Sequence, residues 1–317
     1  MTSPTLDADA AGATPTPRGA ATTSTGAAVG RSMTPRPGSR RRARRRLEGG
    51  AVTLGSALAA LVWISPLILL VVSALRPLSD FLSNGPVSWP QELTLANFPE
   101  AWEAGQFGTA YLNSTVLLLV KVPLGVLVAA LLAYALAKLE FPFRNVILFT
   151  VVLGMTIPIY IAIVPLFTML REVGMTDSIA GIIPPYIAFG LPLQVLILQA
   201  FFRRVPEELL EAARIDGAGD IRIFARVVLP LSVPALVTVT ILDGVATWNE
   251  LFLALSLLSS EGNRTIPLGL LNFQGQFATN YTGLAAGILI AVVPILLLYM
   301  LLQKYIVGGL TAGATKG

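Results

Sequence analysis

Residues 206–234 read PEELLEAARIDGAGDIRIFARVVLPLSVP, a polar stretch set between two apolar runs, and the rest of the chain is read outward from it. Pro206 suits a first helical turn, where its missing N–H costs nothing, and Glu207, Glu208 and Glu211 put negative charge near the positive end of a helix dipole. Gly217 and Gly219 are expected to stop that helix, because glycine takes the left-handed conformation that closes a helix. Asp220 is then expected to cap a second helix running through Ile221, Phe224 and Val228. On the first helix Leu209, Ala212 and Ala213 follow i, i+3, i+4 spacing, which gives one small apolar side and one charged side. The product is a compact helix-turn-helix knob whose surface suits a groove on another protein.

Around this knob the composition is that of a membrane protein. Of 317 residues, 54% are hydrophobic and 13% charged, which points to a polytopic bundle rather than a soluble domain. The chain has neither Cys nor His, so disulfides and thiol catalysis are excluded and the commonest general base and metal ligand are missing. No metal site is expected. No G-x-x-x-x-G-K-[ST] loop occurs to cradle a triphosphate. The net charge of +4 does not imply a nucleic-acid partner, because nine of the 22 Lys and Arg precede residue 47, beside an apolar run, where they act as an orientation signal.

Residues 1–39, rich in Ala, Thr, Gly, Pro and Ser, cannot bury enough surface to offset chain entropy. Residues 1–49 are therefore expected to form a disordered basic tail, with RRRARRR at 40–46 anchoring beside membrane lipid. Residues 50–317 are expected to be one domain of six transmembrane helices, near 49–75, 109–137, 146–170, 179–202, 228–253 and 284–306, each long enough for the ~20 residues that cross the hydrocarbon. The first run is long enough to stay in the bilayer rather than be cleaved as a signal peptide. Prolines at 66, 123, 158, 165, 184, 185, 192 and 294 imply kinked helices. With the N-terminus inside, eighteen Lys and Arg fall on the inner side and only Arg76, Arg171 and Arg264 on the outer, which leaves Lys121 within a span. Both termini and the knob, within a loop at about 203–234, are expected to be cytoplasmic.

With that placement made, Glu211, Ala212, Ala213, then Asp216, Gly217, Ala218, then Phe224, Leu229, Pro230 and Pro234 resemble the EAA loop of ABC importer permeases. The likeness extends over about residues 60–317. It includes Thr94, Leu95, Asn97 and Phe98, then Asn113 and Ser114, Ala133 to Ala137, Ile157 and Pro158, Ala188 to Pro192, and Trp248 to Glu250. The ending Gly309, Leu310, Thr311, Ala312, Gly313 with Lys316 and Gly317 is similar to the carbohydrate branch, specifically the maltose-type permease with six spans. The resemblance implies an all-α type I permease bundle in a bacterial plasma membrane, with cytoplasmic coupling helices. It implies three partners: a cytoplasmic ABC ATPase dimer, a second related permease and an extracytoplasmic sugar-binding protein. No cofactor is expected on this chain, ATP and Mg belonging to the ATPase. Glu211, Ala212, Ala213, Asp216, Gly217, Ala218, Phe224 and Pro230 are by resemblance the ATPase-coupling residues.

Charged groups inside spans are costly and mark candidate sites. Asp243 and Glu250 share a face about 10 Å apart if the helix is continuous, with Trp248 and Asn249 beside them. Carboxylate, amide and ring together suit a sugar. In the other reading Glu250 sits in the outer interface and Asp243 is interhelical glue. At ~1.5 Å per residue Lys121 lies about 18 Å in and Asp243 about 8 Å, so they pair only if the lysine reaches upward. Gln194 and Gln199 are pathway candidates or helix-to-helix hydrogen bonds. The rival functions are an ion-gradient secondary transporter, for which no convincing inverted repeat is visible, and a membrane enzyme or receptor, with Asp243 and Glu250 as carboxylate catalysts.

Overall fold

The computed structural model describes residues 38–275 and 279–314. The expected tail at 1–37, and Lys316 and Gly317 of the ending, lie outside the described residues. The chain divides into a unit that ends at Ala60 and a second that begins at Leu61. Among the described residues the elements are helical apart from one isolated bridge, Gln274 to Thr279. They are α1 (Gly38–Ala74), α2 (Leu78–Asn84), α3 (Asn97–Ala104), α4 (Phe107–Lys138), α5 (Arg144–Gly154), α6 (Ile159–Glu172) and α7 (Ile179–Phe202). There follow α8 (Glu207–Ile215), α9 (Asp220–Leu231), α10 (Val233–Trp248), α11 (Phe252–Leu257), α12 (Ile266–Leu270) and α13 (Tyr281–Ala314). Because α1 begins at Gly38, the basic run 40–46 lies on a helix, and residue 49 is not a helix boundary.

The expected six-span bundle is approximately what the chain forms, with two of the spans bent sharply. Among the described residues three helices are long and apolar enough to cross a membrane: Val52–Ala74 within α1, α4 and α7. The third expected span is broken between α5 and α6 with a bend of 101°, and the fifth between α9 and α10 with a bend of 80°. Counting each bent pair as one span gives five, and the sixth expected span, 284–306, lies within the single helix α13. The first break has a local cause. Met155 N–H bonds to Val152 O and Thr156 N–H to Leu153 O, tightening the end of α5, and Pro158 then drives Ile157 away from helical geometry. Pro158 is extended and α6 starts directly after it. At the second break Ser232 ends α9, and Pro234 sits in the first turn of α10, where proline is tolerated. Pro66, Pro123, Pro165, Pro184, Pro185, Pro192 and Pro294 stay inside helices.

The bundle is built on α4 and α7. Ala129, Ala130 and Ala133 of α4 are almost wholly buried against Val195, Leu198 and Phe202 of α7, and small side chains there let the helix backbones approach closely. The same core continues into the knob through Leu210, Ile223, Phe224 and Val228. Phe107, Ala110, Trp248, Phe273 and Ala286 form a second core, and Leu117, Ile182, Tyr186, Leu253 and Leu257 a third. The apolar side chains of α1 between Leu61 and Leu69 are exposed, with Trp63 at 83%.

Two polar staples order the loops at the end opposite the knob. Arg76, fully buried, donates to the Asp80 carboxylate at 2.9 Å, to Gly85 O and Ser88 O, and to Ser88 Oγ, while Asn97 donates to Ala74 O and Arg76 O. The hydrogen bond from Arg76 holds the Asp80 carboxyl below its usual pKa. Asp177, in the left-handed region at φ 50°, accepts from Ser259 N–H at 2.8 Å, from Ser260 N–H and from the Ser260 hydroxyl. Those donors, the Ser260 hydroxyl foremost, lower its pKa to about 2. A depressed carboxylate stabilises the fold above its unfolded pKa of ~3.9, and this is lost as pH falls through about 2. The tie between the α6–α7 loop and residues 259–263 is therefore expected to hold unchanged from pH 7 to pH 5. Asp177→Asn is expected to speed proteolytic nicking there at both pH values, and equal rates for the two proteins count against this reading.

Candidate functional site

The knob is made as its sequence dictates, with shifts of one residue. Pro206 is the N-cap of α8 rather than its first helical residue, and α8 ends in a Schellman closure. Ala218 N–H bonds to Ala213 O at 2.9 Å and Gly217 N–H to Arg214 O at 3.0 Å, with Gly217 at φ 79°. Gly219 is not left-handed: it is the extended N-cap of α9, and Asp220, expected as the cap, is the first helical residue. One glycine suffices to reverse the chain, so the second is free to serve as the cap. Residues Phe224–Val228 of α9 are wound as a π-helix, a form common at functional positions.

The coupling candidates separate into two kinds. Glu211, Ala212, Asp216, Gly217 and Pro230 are exposed, and Ala213 and Ala218 are half-buried against the core. Phe224 is buried, its ring 5.1 Å from that of Tyr134 on α4. Phe224 therefore joins the knob to the bundle from inside. The exposed apolar side is larger than the spacing of Leu209 and Ala212 implied, since Ile215 and Ile221 are 86% and 84% exposed. Lys138 and Arg214 were not singled out as site residues from the sequence. Lys138, in the last turn of α4, donates to Val205 O at 2.7 Å and pairs with Glu207 at 3.0 Å. Arg214 pairs with Glu207 at 3.5 Å and Asp220 at 3.9 Å, tying the two helices of the knob. Their signal was a basic residue in the last turn of each helix.

Midway along the helices lies a buried polar cluster. Lys121 of α4 reaches Asp243 of α10 at 2.5 Å and donates to Thr247 Oγ1 at 3.1 Å, so the pair that needed an upward reach is formed. Both side chains are under 5% exposed. The expectation that Asp243 and Glu250 ride one continuous helix is corrected. The helix ends at Trp248, and Glu250 instead caps α11, accepting from Leu253 N–H at 2.8 Å and Ala254 N–H at 3.1 Å. Tyr186 of α7 also donates its hydroxyl to Glu250, which is half-buried. A side chain that satisfies the orphan N–H groups of a new helix is what allows the chain to restart there.

Trp248 and Asn249 do not stand beside Asp243 and Glu250. Trp248 is buried, donates to Ala291 O at 3.0 Å and meets Tyr111 edge-on, an anchor between α10 and α13. Asn249 donates to Val245 O and, with Trp248, lines a separate cavity of about 240 Å³ against Ile266 and Ile288. Asp243 and Glu250 line another, of about 170 Å³, with Lys121, Tyr186 and Phe189. Gln199 donates to Leu136 O, a helix-to-helix bond. Gln194, also buried, lies with its amide against the Asp243 carboxylate, and its amide oxygen has no partner among the described residues.

An all-α apolar bundle with a polar hairpin at one end and a buried ion pair midway through its helices has the form of an integral-membrane protein. A family profile described as "Binding-protein-dependent transport system inner membrane component" matches residues 121–311. The trehalose transport system permease protein SugB of Mycobacterium tuberculosis is 36% identical over 268 residues, 84% of this chain and 95% of that protein. The arabinooligosaccharides transport system permease protein AraQ of Halalkalibacterium halodurans is 34% identical over 269 residues, 84% of this chain and 96% of that protein. The fold matches a chain in the crystal structure of a bacterial ABC transporter involved in the import of the acidic polysaccharide alginate. That match has a TM-score of 0.69 and 24% identity, over 82% of this chain and 96% of that one. The chain belongs to the family of inner-membrane components of binding-protein-dependent transport systems. It is a multi-pass inner-membrane permease subunit of the ABC type, a transport component rather than an enzyme.

Proposed function

We propose that this chain is one half of the translocation pathway of an ATP-driven carbohydrate importer. The observation that carries the coupling half of this reading is the knob's exposed apolar ridge of Leu209, Ile215 and Ile221, which faces away from the bundle core that holds Leu210 and Ile223. Such a ridge fits a cleft on a cytoplasmic ATPase dimer, with Glu211 and Asp216 at its edges for basic groups. Closure of the ATPase would reach α4 through Phe224 on Tyr134 and through Lys138 on Glu207. The charge bias of the loops supports a cytoplasmic knob and cytoplasmic termini. ATP and Mg are held by the ATPase and not by this chain. A second related permease completes the pathway, and an extracytoplasmic sugar-binding protein delivers the ligand. The carbohydrate class rests on the relatives named for trehalose and arabinooligosaccharides. No observation favours an ion-gradient transporter.

The test is purification of the chain with its co-encoded subunits. The wild type is expected to retain a nucleotide-hydrolysing subunit through gel filtration, and the Ile215→Asp, Ile221→Asp double variant to lose it while keeping the second permease. Retention of the ATPase by the double variant, or its absence from the wild-type complex, would overturn the coupling assignment.

A further inference from the structure

We propose that Gln194 and Asp243 form a subsite for a neutral, hydroxyl-bearing ligand, floored by the bare backbone of Gly190. The inference deepens the carbohydrate reading and rests on it. Its starting point is an imbalance of hydrogen bonds. Gln194 is 4% exposed and its amide lies against the Asp243 carboxylate, yet its amide oxygen has no partner among the described residues, and Asp243 Oδ2 is left without a well-formed hydrogen bond. Unpaired polar groups in a membrane interior are costly, and proteins satisfy them or use them. Gln199, further along the same helix, shows the ordinary alternative by bonding across to Leu136 O.

The geometry gathers these atoms at one place. Two adjoining cavities, of about 170 and 190 Å³, share Phe189, Gly190, Asp243 and Ala246 as lining, and Gln194 lines the second. A Cβ added at Gly190 would lie 2.9 Å from Gln194 Nε2 and 3.0 Å from Asp243 Oδ1. The amide and the carboxylate therefore converge over a position where any side chain would displace them.

The charge of the cluster sets the ligand class. Lys121 neutralises Asp243 through Oδ1, which leaves Oδ2 as an acceptor in a site that is close to neutral as a unit. A ligand hydroxyl would donate to Gln194 Oε1 or to Asp243 Oδ2, and Phe189 lines the cavities with an apolar side chain for C–H groups. A permanent anion would meet the unshared carboxylate oxygen and a permanent cation would compete with Lys121. Neutral polyols suit the arrangement.

The assembled importer in proteoliposomes tests this, with its binding protein at saturation and labelled trehalose, raffinose, arabinotriose and digalacturonate as probes. Wild type is expected to take up at least one of the neutral sugars, and Gln194→Met to lower that initial rate tenfold or more without lowering the thermal midpoint of the complex. Gln199→Met is expected to do the opposite, lowering the midpoint while each assembled complex keeps its rate. Gly190→Ala is the second variant, expected to reduce the rate at least fivefold. Unchanged uptake in Gln194→Met and Gly190→Ala overturns the subsite alone, as does a fallen midpoint with unchanged uptake in Gln194→Met. A wild-type complex that transports only digalacturonate overturns the choice of a neutral ligand. Uptake of no probe by wild type overturns the carbohydrate reading and the subsite with it.

Discussion

Lys121→Met is expected to destabilise the assembled protein by about 3–5 kcal/mol, the range for removing one partner of a buried ion pair. The substitution keeps the length of the side chain but leaves the Asp243 carboxylate buried, with Thr247 no longer supplied with a donor. The double variant Lys121→Met, Asp243→Leu is expected to regain most of that stability, because an apolar pair of similar bulk replaces two desolvated charges. Thermal unfolding of the purified complex measures both. Stability and transport should separate here, since the double variant restores packing but removes the Oδ2 acceptor from the cavity wall. A single variant as stable as wild type would mean that the pair carries none of the weight assigned to it.

Gly217→Val is expected to lower the sugar moved per ATP hydrolysed by about an order of magnitude, equivalent to ~1.4 kcal/mol in coupling. Gly217 has φ 79°, and a Cβ there would meet no atom within 4 Å, so the penalty is one of backbone conformation and not of crowding. A β-branched residue forced left-handed costs about 1–2 kcal/mol or escapes by opening the Schellman bonds from Gly217 and Ala218. Either way the ridge formed by Ile215 and Ile221 changes shape. Gly217→Asn is expected to stay near wild type because Asn tolerates the left-handed region, with Gly217→Ala between the two. Reconstituted uptake measured alongside hydrolysis gives the ratio, and equal coupling in all three variants would remove Gly217 from the coupling path.

The knob was legible because its information is local. Proline, acidic first turn, glycine closure and second helix follow one another within residues 206–234, and the structure moves the caps by a single position. The polar cluster was half legible. Composition marks Lys121, Asp243, Gln194 and Glu250 as costly inside spans, whereas their sorting depends on which helix ends where. A residue count through 228–253 predicts one helix, but the stop at Trp248 sends Glu250 to cap α11 and turns Trp248 toward Ala291. Lys121 shows the reverse case, since rise per residue puts it too deep for Asp243, while four methylenes and the close α4–α10 contact bring the charges together.

The amino-acid sequence by itself determined an all-helical membrane subunit with a polar helix-turn-helix knob, because hydropathy, glycine and proline act over a few neighbouring residues. Tertiary structure alone decided that Trp248 and Asn249 belong to a different cavity from Asp243, and that the Gln194 amide lies beside Asp243 over Gly190. Those outcomes depend on which side chains from α4, α7 and α10 arrive at the same depth and on which donors they find there. That depth is set by packing between helices far apart in the chain, and no local run of residues records it.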